Sequence, residues 1–165
     1  MRQVLRCLCN NKKRLRIQGK RSKRFAKRLL KEPDNRSSLV LWREYAHLEW
    51  MLGSLDEARK VFSTATALEG TKGLSSPTLC ELCLLWSQLE VENRAKEPAG
   101  RLTDVTTSPA VCILTRLAEG TSSTSSQSLS PVSILKARKS YEQALTAILS
   151  ALEQDMRNLQ PNRKG

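Results

Sequence analysis

The sequence predicts an all-α protein, a right-handed solenoid of paired helices. Apolar residues recur at intervals of three and four along most of the chain. Glycine and proline make up 13 of 165 residues, about 8%, below the roughly 12% of average usage. The chain also matches itself at fixed offsets, which marks stacked helical repeats.

Residues 1–36 read as a basic, partly helical lead-in, the end of a preceding repeat. From Lys20 to Lys31, Phe25, Ala26, Leu29 and Leu30 cluster on one side, and Pro33-Asp34-Asn35 gives a turn. Residues 37–73 read as a complete helix pair. Its first helix, from about Ser38 to Leu52, carries Leu41, Trp42, Tyr45, Leu48 and Leu52 on one face and stops at Gly53. The second opens on a capping box, Ser54 with Glu57. It carries Leu55, Ala58, Val61, Phe62, Ala65 and Leu68, and ends at Gly70 and Gly73. So short a connection predicts an αα-hairpin.

Residues 74–155 read as a second pair, interrupted by an insertion at about 94–132. Ser76-Pro77 opens its first helix, with Leu79, Leu82, Leu85, Trp86 and Leu89. Within the insertion, Ser108-Pro109 starts a short helix over 109–119, and 120–130 is a Ser/Thr-rich linker. Ser130-Pro131 opens the last helix, with Ile134, Ala137, Tyr141, Ala144, Leu145, Ile148, Leu149 and Leu152. Residues 156–165 read as a polar tail.

The charge is segregated. Residues 1–31 hold 13 basic residues and no acid, while the rest is close to neutral, within a formal net charge of +12. That excludes a uniformly basic, histone-like protein. No run of about 18 apolar residues suggests a membrane span. The start of the chain lacks a secretory apolar stretch, so Cys7, Cys9, Cys80, Cys83 and Cys112 are expected to be reduced thiols.

Two internal matches define the repeat. At an offset of 41, Leu41, Tyr45, Leu48 and Glu49 pair with Leu82, Trp86, Leu89 and Glu90. At an offset of 79, Ala58-Arg59-Lys60, Phe62 and Ala65 pair with Ala137-Arg138-Lys139, Tyr141 and Ala144. Trp42, Tyr45 and Glu49 followed by Ala58-Arg59, Phe62 and Ala65 resemble the HAT (half-a-TPR) repeat, found mainly in RNA-processing proteins. Leu29-Leu30-Lys31-Glu32-Pro33-Asp34-Asn35-Arg36, running into Leu41-Trp42-Arg43-Glu44-Tyr45-Ala46-His47-Leu48-Glu49-Trp50, is similar to the nuclear RNAi-defective two family. So is Ile134-Leu135-Lys136-Ala137-Arg138-Lys139 with Tyr141-Glu142-Gln143-Ala144-Leu145. The resemblance spans roughly Asn10 to Leu145 in one order.

That resemblance implies a nuclear, non-catalytic scaffold of RNA surveillance. Family members hold the helicase that feeds the RNA exosome and restrain it, and some serve nuclear small-RNA silencing. They are much longer, with a helicase-contacting amino-terminal region and further repeats. The chain therefore reads as a fragment or truncated form, and no helicase contact is carried to any residue here.

The basic stretch 12–31 has three readings. Lys12, Lys13, Arg14, Lys20, Arg21, Lys23, Arg24, Lys27 and Arg28 suit a nuclear import receptor, or an RNA backbone or acidic partner, or simply a solvated helix face. Base-specific RNA readout is not expected, because Phe25 is the only aromatic there. A mitochondrial presequence would need more serine than Ser22. Cys80-x-x-Cys83 lacks a second ligand pair for zinc, and the thiols fit the apolar pattern as small hydrophobes. His47 lies out of phase with the apolar stripe and reads as surface or groove-lining. Trp42, Tyr45 and Trp86 read as inter-helix packing, and Glu49 and Glu90 as packing acids with an arginine partner such as Arg59. Ser76, Ser108 and Ser130 read as helix caps, with kinase recognition of the Ser-Pro pairs as the alternative. No cofactor, metal or small-molecule substrate is expected.

The runner-up functions are a direct RNA-binding module on stretch 12–31 and a generic TPR-like adaptor. Solenoids need about three repeats and polar end caps, so a single intact pair predicts marginal stability or association in isolation. A reversible monomer melt above roughly 60 °C, beyond most mesophile domains, would contradict this.

Overall fold

The computed structural model describes residues 2–96, 108–120 and 129–159, with side chains from residue 13 onward. Parts of three sequence readings lie outside the described residues: 97–107 of the insertion, 121–128 of the Ser/Thr linker and 160–165 of the tail. The side chains of Cys7, Cys9 and Lys12 do so as well.

Among the described residues the regular structure is entirely helical: α1 (Arg2–Lys31), α2 (Leu39–Met51), α3 (Leu55–Glu69), α4 (Pro77–Ala95), α5 (Pro109–Glu119) and α6 (Pro131–Asn158). Short 3₁₀ turns at Pro33–Asn35 and Gly70–Ser75 join α1 to α2 and α3 to α4. Each helix packs on the next in chain order, and α4 also touches α2.

The punctuation follows the local chemistry. Ser38 caps α2 by accepting from the Leu41 N–H, and Ser76 and Ser130 cap α4 and α6 in the same way. Gly53 ends α2 at φ 78°. Its N–H reaches the Trp50 carbonyl, and that of Ser54 reaches Glu49, both at 2.9 Å, which forms a Schellman motif.

The structure departs from the sequence reading at several places. The capping box at Ser54 is not formed: Ser54 makes no side-chain cap bond, and Glu57 pairs with Lys60 at 2.9 Å. Ser108 makes no cap bond either. The lead-in is one continuous helix from Arg2 rather than a partial one. Leu52 and Leu68, placed on apolar stripes, are exposed.

The core runs through Leu39, Tyr45, Ala46, Ala58, Phe62, Ala65, Leu79, Leu82 and Leu89, and is closed by Ile113 and Leu117 of α5. The sequence repeat pairs α4 with α6, yet the helix packed most closely on α4 is α5, and α6 lies mainly against α5. Two glycines permit this. Gly73 (φ 53°) lies where a Cβ would sit 3.1 Å from the Leu117 carbonyl, and Gly120 (φ 65°) ends α5 where a Cβ would sit 3.3 Å from that of Thr71. The α3–α4 connection and the end of α5 thus meet backbone to backbone.

Beyond Tyr141, α6 leaves the array. Leu145, Ile148, Leu149, Leu152, Met156 and Leu159 are more than half exposed, so the last helix buries only its first turns.

Candidate functional site

The repeat-defining residues build two similar layers. In the first, the Glu49 carboxylate has no exposed surface. It accepts from the Tyr45 hydroxyl at 2.7 Å and the Lys23 ammonium at 2.8 Å. Burial, and then this carboxylate, push the Tyr45 phenol well above its ordinary range. In the second layer Glu90 is nearly buried. Arg59 grips it with two parallel bonds of 2.8 and 2.9 Å, and the Trp86 indole N–H donates to it at 3.2 Å. The hydrogen bonds to Glu90 raise the Arg59 guanidinium further. Glu49 and Glu90 are repeat-equivalent, and each meets a cation from the helix just before its own.

Around these acids the packing is tight. Ala58, Phe62 and Ala65 are fully buried, and the Phe62 ring stacks on Trp86 at 5.9 Å with 5° between planes. Trp42, half-buried, donates its indole N–H to the Arg36 carbonyl at 2.8 Å. An ion pair from Arg43 to Glu81 ties α2 to α4.

In α6, Ala137 is buried and Ala144 half-buried. The Tyr141 hydroxyl donates to the Leu114 carbonyl of α5 at 2.8 Å. Arg138 departs from its counterpart Arg59: it is exposed, and among the described residues it pairs with Glu142, one turn along its own helix, at 3.3 Å. An open apolar groove of about 410 Å³ runs between α5 and α6, with Leu114, Ile134, Tyr141 and Leu145 among its lining residues.

Lys23 is the functional residue that reading the basic stretch as a unit missed. It is half-buried and belongs to the fold, whereas Lys13, Arg14, Lys20, Arg21, Arg24, Lys27 and Arg28 are exposed. A signal was available. Ser22-Lys23-Arg24 with Ala26 lines up with Ala58-Arg59-Lys60 and Phe62 at an offset of 36, which puts Lys23 in the place of Arg59. The Arg28 guanidinium lies 5.5 Å over the Phe25 ring.

The remaining candidates have ordinary surroundings. His47 is half-buried, 5.9 Å from the Trp50 ring. The Cys80 thiol lies 3.8 Å from the Leu74 carbonyl, and burial raises both Cys80 and Cys83, the latter to about 12. Among the described residues no three His, Cys, Asp or Glu side chains gather as metal ligands, and no helix is long and apolar enough to cross a membrane. Ser76 is buried and Ser130 exposed.

These raised acidities set an alkaline limit. Cys83, Tyr45 and Tyr141 all titrate higher in the folded chain than the roughly 8.5 of a free thiol and 10 of a free phenol. The folded state therefore holds protons that the unfolded state releases. That contribution is whole below about pH 8.5 and is lost as pH climbs toward 12. Urea midpoints should be flat to about pH 8.5 and lower at pH 10.5; equal midpoints would contradict this.

Over 143 residues, 86% of its length, the chain is 49% identical to "Nuclear exosome regulator NRDE2" of Mus musculus. Over 145 residues it is 50% identical to the Homo sapiens protein of the same name. The chain spans only 12% of the length of each of these relatives. No family model and no solved structure matches it.

Proposed function

We propose that this chain, homologous to a segment of the nuclear exosome regulators NRDE2, is a structural segment of a nuclear scaffold that regulates the RNA exosome. On this reading it acts without catalysis, as part of a right-handed solenoid of HAT-type helix pairs that presents helix faces to RNA-processing proteins. A role in small-RNA silencing belongs to the same reading. The identity of about 50% over most of the chain carries it. Three features of the fold support the repeat architecture: consecutive helices stacked in chain order, equivalent buried acids on α2 and α4, and a preceding-helix cation for each.

The α5–α6 groove and the open stripe of α6 are the surfaces this reading offers to a further helix or a partner. The test deletes the segment from a full-length relative in cells. Exosome-associated proteins recovered with the relative are then compared by mass spectrometry, alongside levels of exosome-substrate RNAs. Loss of specific partners together with altered RNA levels is expected. An unchanged partner set with unchanged RNA levels would overturn the reading.

A further inference from the structure

The outer face of α1 is a surface that the scaffold reading leaves unused. Helix α1 seats on α2 through Lys23, Ala26 and Leu30, with Gly19 tight against Leu52. At 100° per residue the opposite side carries Lys13, Lys20, Arg21, Arg24, Arg28 and Lys31. All six are exposed, and none joins an ion pair among the described residues, where Lys23 is the α1 cation that does. From residue 13 to 31 the row extends about 27 Å at 1.5 Å per residue.

An ordinary solvated face looks different in this same molecule. Several exposed cations elsewhere have an acid one turn away: Lys60 with Glu57, Lys72 with Glu69, Arg138 with Glu142 and Arg157 with Glu153, while Lys136 and Lys139 join no ion pair among the described residues. Residues 1–31 contain no acid. Like charges one turn apart, such as Lys20 with Arg24 and Arg24 with Arg28, work against the helix. A row that opposes its own helix is relieved when an extended polyanion lies along it.

We infer that the outer face of α1 binds the phosphate backbone of a nucleic-acid strand without reading its sequence. A phosphate backbone suits the row better than an acidic polypeptide. The charges run for five turns with few exposed apolar residues among them, Ile17 and Phe25, the latter under the Arg28 guanidinium. Contact through phosphates releases counterions, so affinity must fall steeply with salt. This surface lies apart from the α5–α6 groove and does not depend on the scaffold reading.

Fluorescence anisotropy on the 165-residue chain tests this, with a 20-nucleotide oligo(U) RNA, the matching DNA strand and a 20-base-pair duplex from 50 to 200 mM KCl. Five or six phosphate contacts to a single strand predict a log–log salt slope of about −4. The variant combining Lys20→Ala, Arg21→Ala, Arg24→Ala and Arg28→Ala should lower the steepness by about 3 and weaken binding at least tenfold at 50 mM, with its helical circular dichroism retained. Removing three cations from α6 (Lys136→Ala, Arg138→Ala, Lys139→Ala) should change neither. Comparable affinity for RNA and DNA supports recognition of phosphate alone, and tighter RNA binding supports an added ribose contact. No binding at 50 mM, or an unchanged slope in the α1 variant, overturns the inference. So does displacement of RNA by poly-glutamate at equal charge concentration, which would assign the face to an acidic protein.

Discussion

Phe62→Ala is expected to cost about 3–5 kcal/mol and to leave the chain largely unfolded at 25 °C. The phenyl ring has no exposed surface and stacks on Trp86, with Ala58 and Ala65 buried one turn to either side of it on α3. Those alanines are too small to collapse into the vacated space, so the cavity term adds to the transfer term. Loss of the platform also frees Trp86, whose indole N–H supports Glu90. Phe62→Leu retains most of the volume and should cost much less. Chemical denaturation followed by tryptophan fluorescence separates the two, and a loss under 1 kcal/mol for the alanine variant would show that the layer is not close-packed.

Lys23→Ala is expected to destabilise by about 2–3 kcal/mol, far more than alanine at neighbouring Arg24 or Lys20. The Lys23 side chain is 28% exposed while that of Glu49 is fully buried. Removing the lysine leaves an acid out of water with only the Tyr45 hydroxyl, and an uncompensated buried charge is costly. Water reaching the vacated edge places the loss below the roughly 3–5 kcal/mol of a fully enclosed pair. The double variant with Glu49→Gln should recover part of the loss, because an amide needs no counter-charge. Urea unfolding of the four proteins in the cycle gives the coupling. Additive effects would mean that Lys23 and Glu49 do not act as a pair.

Much of this was legible in the sequence, for identifiable reasons. The starts of α2, α4 and α6 were readable because serine is favoured at the N-cap, and the end of α2 because Gly53 tolerates a positive φ. The match of Glu49 with Glu90 was readable because a buried acid is rare enough to stand out when it recurs. Four features were missed. The capping box at Ser54 failed because the Ser54 N–H is already given to the Glu49 carbonyl in the turn at Gly53, and Glu57 pairs with Lys60 instead, a competition that spacing alone does not rank. The position of α5 against α4 depends on the close approach at Gly73 and Gly120, which are 47 residues apart. The exposed second half of α6 carries the same apolar period as a buried helix, since periodicity records which side would be covered and not whether anything covers it. Lys23 was hidden among charges of its own kind.

The direction of the two ion pairs to buried acids bears on how the chain is made. Glu49 finds its counter-ion 26 residues upstream and Glu90 finds its own 31 residues upstream. A polypeptide emerges from the ribosome amino-terminus first, so each acid arrives after the cation that will neutralise it. Folding can then advance layer by layer behind the ribosome, never sealing in a lone carboxylate. Shortening the chain from the carboxyl end spares every pair up to the cut, whereas trimming α1 strands Glu49 at once. The array thus has a polarity of assembly, written in which neighbour each buried acid faces.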